Sequence, residues 1–129
     1  MNNDQLASAL SAILNHEKAG KKEIVINPTS KVILNVLTIL NAHQYVGQYD
    51  QITEARGGFI KLHLLGSINK CGVIKPRFSV GWKDFAKFEK RYLPAKGMGI
   101  IIISTPNGLM TLEEAKEKQI GGKLIAYCY

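Results

Sequence analysis

The sequence predicts an α+β chain, with an N-terminal α-β-α-β-β domain packed against a mostly β C-terminal domain that carries one short helix. Three observations support this. Two stripes of helical period lie near the start, a run of four isoleucines spans 100–103, and the texture changes after Gly66 to glycine, lysine and short apolar segments. The expected boundary is near residue 66, which divides the chain into an α/β domain over 1–66 and a β-rich, basic domain over 67–129.

Leu6, Ala9, Leu10, Ile13 and Leu14 recur at the spacing of one helix face, predicting a helix from about 4 to 18 that Gly20 stops. Ile24–Val25–Ile26 is a β-branched run before Pro28 and reads as a strand buried on both faces. Thr29 or Ser30 is placed to cap a second helix, whose stripe is Val32, Ile33, Val36, Leu37 and Leu40. A strand is expected over Tyr45–Ile52. After Gly57–Gly58 comes another, in which Ile60, Leu62 and Leu64 alternate with Lys61 and His63. Two helices on one face of that small sheet would bury both stripes.

In the second half, Val73–Ile74, Phe78–Val80 and Gly99–Ile103 are candidate strands, separated by Pro76 and Pro94. The isoleucine run makes sense only as a core strand. Thr111 followed by Glu114 has the form of a capping box and starts a helix of about two turns, which Gly121–Gly122 is expected to end. Lys123–Tyr129 reads as a terminal strand.

The chain has 129 residues, a formal charge of +7 and a pI near 9.5, which favours a polyanionic partner. The charge is uneven. Residues 1–66 hold six Lys or Arg against five Asp or Glu, and 67–129 hold eleven against five, so the polyanion is expected against the second half. No apolar run is long enough to span a membrane and the first twenty residues do not resemble a signal peptide. An intracellular protein with no membrane partner is expected. Cys71 and Cys128 are far apart in the chain and lack ligand spacing, so reduced thiols are expected rather than a disulfide or a zinc site.

Ser104, Thr105, Pro106, Asn107 and Gly108 follow the isoleucine strand. Hydroxyls at a strand end are suited to bonding RNA phosphates or 2′-OH groups, and glycine allows close approach, but a locally satisfied turn uses the same residues. Lys70, Lys75 and Arg77 interleave with apolar residues, as on a phosphate-facing surface or on an edge strand protected by charge. Lys87, Lys90 and Arg91 share a side of a short helical stretch opposite Phe85 and Phe88, which is ordinary amphipathicity as readily as an RNA patch. Lys21 and Lys22 sit on a helix-end turn, where a solvated loop is the competing reading, and Lys31 adds a cation at the start of the second helix. His16, His43 and His63 are dispersed, with no nucleophile elbow and no phosphate-cradling glycine motif, so no catalytic residue, cofactor or small-molecule substrate is expected.

The stretch STPNGLMTLEEAKEKQIGGKLIAYCY, Ser104 through Tyr129, resembles the end of the small-subunit ribosomal protein S-eight family, called S-fifteen-a in eukaryotes. Gly66 through Gly81 and Leu93–Pro94–Ala95–Lys96 look like its archaeal and eukaryotic branch. The resemblance covers essentially the whole chain. It implies a primary rRNA-binding protein that docks on the central domain of small-subunit rRNA in the cytoplasmic ribosome, touches neighbouring small-subunit proteins and supports platform assembly. Carried over by position, the hydroxyl loop that contacts RNA falls on Ser104 and Thr105, and the family's framework falls on Gly108, Met110 and Gly121–Gly122. Pro106 stands where the family usually has serine, Lys116 replaces an arginine, and Lys123 stands where bacterial members have glutamate. Site residues implied for RNA are therefore Ser104, Thr105, Asn107, Gly108, Gly121, Gly122 and Lys123, with Lys70, Lys75, Arg77, Lys21, Lys22 and Lys31 as accessory cations. The rival readings are an RNA-binding or translational regulatory module acting off the ribosome, and an RNA-modifying enzyme.

Overall fold

A computed structural model describes residues 5–26, 31–54, 57–95 and 97–129. The chain divides into two compact units, Met1–Asn69 and Lys70–Tyr129. The second unit begins at the first charged residue after Lys61, so it carries the whole charge excess of the C-terminal half.

The first unit runs α1 (Gln5–Lys18), β1 (Glu23–Ile26), α2 (Lys31–Ala42), β2 (Val46–Glu54) and β3 (Gly57–Leu64). Its strands form an antiparallel sheet in the order β1-β3-β2. Leu6, Ala9, Leu10 and Ile13 from α1, and Ile33, Val36, Leu37 and Leu40 from α2, are buried together with Ile24, Ile26, Ile60, Leu62 and Leu64 from the strands. The first helix ends as its glycine predicts: Gly20 adopts φ 75° and the Lys21 amide donates to the His16 carbonyl. The Thr29 or Ser30 cap lies outside the described residues.

Two expectations for this unit fail. Val25 is 58% exposed, so β1 is buried on one face only. The three-stranded sheet has helices on a single face, and alternation sends Val25 outward with Glu23, Lys61 and His63. On that open face Lys61 pairs with Glu23 at 3.5 Å and His63 with Asp50 at 3.6 Å. Val32 is also exposed at 38%, because it sits one residue off the stripe formed by Ile33, Val36, Leu37 and Leu40.

The second unit runs β4 (Cys71–Val73), β5 (Ser79–Val80), a 3₁₀ turn at Trp82–Asp84, α3 (Phe85–Tyr92), β6 (Ile100–Thr105), β7 (Gly108–Thr111), α4 (Leu112–Glu117) and β8 (Gly122–Cys128). All five strands join one antiparallel sheet in which β8 lies between β6 on one side and β4 and β5 on the other. Its core gathers Ile74, Val80, Phe85, Ile101, Ile103, Met110, Leu112, Ala115 and Leu124. Ile101, Ile102 and Ile103 are all buried, which accounts for an unbroken β-branched run in β6.

The terminal strand forms as expected, as β8, and lies inside the sheet with partners on both sides. Two differences matter for the site. A short strand, β7, follows the Pro106–Asn107 turn and was not anticipated, since four residues carry too little periodicity to read. Finally, α4 does not run to Gly121–Gly122. It ends at Glu117 with Lys118 as its cap, and Gln119, at φ 56°, makes the turn while the Ile120 amide donates to the Ala115 carbonyl. Thr111 caps the helix as predicted, its Oγ1 accepting from the Glu114 amide at 3.3 Å.

Candidate nucleic-acid interface

The hydroxyl loop is a two-residue hairpin, with Pro106 and Asn107 between the paired residues Thr105 and Gly108. Proline suits the first turn position because its ring presets φ, and Gly108 supplies the φ of 109° at which β7 begins. Thr105 is 8% exposed. Its Oγ1 donates to the Gly108 carbonyl at 2.8 Å and accepts from the Asn107 amide at 3.1 Å. The Thr105 hydroxyl therefore spends its proton and one lone pair closing the turn, as the local reading of these residues anticipated.

Ser104 is placed differently. It is half-buried and directly opposite Lys123 of β8, and Lys123 in turn is directly opposite Ser79 of β5. Paired residues in a ladder point to the same face, so Ser79, Lys123 and Ser104 form a row across three strands, on the face opposite the core residues Leu124 and Ile103. Adjacent strands lie about 4.8 Å apart, which puts both serines within about 5 Å of the lysine's strand. Ser79 and Lys123 are exposed. Ser79 was not singled out from the sequence; only strand register brings it beside Lys123.

A register shift creates this row. Ile102 opposes Ala126 but Ile103 opposes Leu124, leaving Ile125 as an extra residue in β8. Without it, Leu124 would oppose Ser104 and an apolar side chain would interrupt the row. The two glycines make the approach possible. A Cβ on Gly122 would overlap the Ser104 carbonyl, and one on Gly121 would lie 2.5 Å from the Val80 carbonyl oxygen. Neither glycine adopts positive φ, so what matters is the absent side chain rather than backbone freedom.

The cations distribute unequally. Lys75 and Arg77 are exposed in the segment between β4 and β5, which is tied to β8 by the Ile74 amide on the Ile125 carbonyl and the Leu124 amide on the Phe78 carbonyl. Arg77 is two residues from Ser79. Lys70 lies at the other end of β8, opposite Tyr129, about 20 Å along the strand from Lys123. Lys21, Lys22 and Lys31 are exposed in the first unit, the first two in the turn after α1 and the third at the start of α2. Lys87, Lys90 and Arg91 are exposed on α3, where the Arg91 guanidinium lies 5.5 Å from the Phe78 ring centre and 5.9 Å from that of Tyr92. Among the described residues no group of three or more His, Cys, Asp or Glu is placed to hold a metal ion, and no helix is long and apolar enough to cross a membrane.

Residues 4–129 match the family described as Ribosomal protein S8. The chain is 54% identical, over 98% of its length and 97% of the relative's, to the protein named Small ribosomal subunit protein uS8 of Desulfurococcus amylolyticus. The chain belongs to the ribosomal protein S8 family. It is thus a structural protein of the small ribosomal subunit, in a family characterised by rRNA binding, and not an enzyme. For such a family member, a surface of hydroxyls, one ammonium and closely approaching backbone is chemically apt: it can bond phosphate and 2′-OH without any catalytic group.

Proposed function

We propose that this S8-family chain is a primary rRNA-binding protein that docks on the central domain of small-subunit rRNA through its second unit and thereby supports assembly of the platform. The observation that carries this reading is the row Ser79–Lys123–Ser104, held beside the Pro106–Asn107 hairpin in the unit with the charge excess. The Ser104 and Ser79 hydroxyls bond ribose or phosphate oxygens, Lys123 pairs with a phosphate, Gly108 adds no side chain between the hairpin and the RNA backbone, and Gly121 and Gly122 act by letting β8 lie close against β5 and β6 so that Lys123 sits between the two serines. Asn107 offers its side-chain carboxamide at the hairpin tip, its backbone amide being taken by Thr105, which acts by holding the hairpin's shape. Lys75 and Arg77 add phosphate contacts alongside, while Lys70, Lys21, Lys22 and Lys31 contribute longer-range attraction. The first unit serves chiefly as a scaffold that presents surface to neighbouring ribosomal proteins.

Filter binding of the full chain to a central-domain rRNA fragment, over a series of salt concentrations, tests this. Lys75→Gln with Arg77→Gln is expected to flatten the dependence of log affinity on log salt by about 0.7–0.9 per lost phosphate contact, and more than Lys21→Gln with Lys22→Gln does. Equal affinity for fragments of other rRNA domains, or a larger effect from the Lys21 and Lys22 pair, would overturn the assignment.

A further inference from the structure

We propose that Cys71 and Cys128 are an oxidation site, forming a cross-strand disulfide that joins the first strand of the second unit to its last. The two lie directly opposite each other in the antiparallel pair of β4 and β8. Next to them, the Lys70 amide donates to the Tyr129 carbonyl at 2.9 Å and the Tyr129 amide to the Lys70 carbonyl at 2.8 Å. Lys70 and Tyr129 are thus a hydrogen-bonded pair, and by strict alternation Cys71 and Cys128 occupy the adjacent position that exchanges no backbone bonds. At such a position Cα atoms stand about 4.5 Å apart and side chains come closest, inside the range of about 4.4–6.8 Å that a disulfide spans.

The side chains also share a face. Gly72 and Tyr127, the next pair along, point the other way, with the Tyr127 ring lying over Gly72: a Cβ there would be 3.1 Å from the phenolic oxygen. Cys71 and Cys128 therefore project together from the opposite face, where both are buried and both are thiols. Burial excludes bulky reagents, while a bond between the two sulfurs adds no atoms. Among the described residues no further strand pairs with β4, which has only three residues, so local opening at this edge is the route that would admit a small disulfide.

The oxidant is a low-molecular-weight disulfide. One cysteine thiolate attacks a sulfur of that disulfide, forming a mixed disulfide and expelling one small thiolate; the second cysteine thiolate attacks the protein-side sulfur and expels the other. The cysteines give up two electrons and two protons in all, and the oxidant becomes two small thiols. The cross-link holds β8 at the end remote from Lys123, so the RNA-facing row is untouched.

The test is to refold the reduced full-length chain in glutathione buffers of rising oxidised fraction, which removes any barrier of access, and then to alkylate it in denaturant and measure intact and peptide mass. Disappearance of both thiols together, with loss of two hydrogens and a joined peptide pair, is the expected result. The oxidised chain should melt at least about 5 °C higher than the reduced one and bind central-domain rRNA within two-fold of it. Two thiols still alkylated at the most oxidising ratio, or glutathione adducts or linked dimers in place of the internal bond, would overturn the proposal. So would an internal bond that lowers the melting temperature, since the geometry would then be strained rather than apt.

Discussion

Replacing Ser104 and Thr105 separately distinguishes a hydroxyl that meets RNA from one that builds the turn. In Thr105→Val, shape is nearly kept while two hydrogen bonds go, that to the Gly108 carbonyl at 2.8 Å and that from the Asn107 amide at 3.1 Å. Each is worth about 0.5–1.5 kcal/mol net, and because the turn is exposed, water takes over part of the loss, so a total of about 1–2 kcal/mol is expected. That corresponds to a fall in melting temperature of roughly 3–10 °C for a chain of this size. RNA affinity per folded molecule should hold. Ser104→Ala should do the reverse. Its hydroxyl lies opposite Lys123 and outside the core, so stability should change by less than about 0.5 kcal/mol. The loss of one RNA hydrogen bond should weaken binding by about 0.5–1.5 kcal/mol, or roughly 2- to 10-fold, with an unchanged salt slope because no charge is removed. Melting temperature and filter binding measured on the same preparations decide the matter. If Ser104→Ala destabilises without weakening binding, or Thr105→Val weakens binding while fully folded, the division of labour between the two hydroxyls is wrong.

Other outcomes follow from the same geometry. Gly122→Ala should cost about 2 kcal/mol or more in denaturant unfolding, since the new Cβ meets the Ser104 carbonyl, which cannot move without breaking the β6–β8 ladder. Lys123→Gln should leave the melting temperature within about 2 °C and lower the salt slope of rRNA binding by about 0.7–0.9. Ile103→Ala, at a fully buried position in the second core, should destabilise by about 2–5 kcal/mol, measurable by urea titration. Replacing Cys71 and Cys128 together by alanine should keep rRNA affinity within a few-fold while lowering the melting temperature by several degrees, because both thiols fill buried space.

Much of this chain was legible from local pattern. The stripes of α1 and α2, the alternation in β3, the isoleucine run of β6 and the Thr111–Glu114 cap are all properties of neighbouring residues, so period and capping chemistry reveal them. The accumulation of positive charge after residue 66 is likewise a sum over the sequence. The facing of β1 was not legible: Ile24, Val25 and Ile26 are alike in character, and only the absence of a layer over the second face of the sheet leaves Val25 in solvent. The end of α4 was not legible for a related reason. Gly121 and Gly122 look like a helix stop, yet they are glycines because β8 passes against the backbones of Val80 and Ser104.

What the sequence by itself determined was therefore the helices and every strand but β7, the half that holds the charge excess and the stretch that carries the hydroxyls. Tertiary structure alone decided which groups meet. Register pairs residues that are far apart in the chain, and a single extra residue, Ile125, sets Lys123 rather than Leu124 against Ser104. The same long-range pairing puts Ser79 into the row, occupies the Thr105 hydroxyl within its own hairpin, and brings Cys71 opposite Cys128, two thiols whose sequence separation gave no sign of contact. Local propensity has a reach of a few residues, whereas a ladder's register is set by the packing of both its strands, and so no window along the chain contains it.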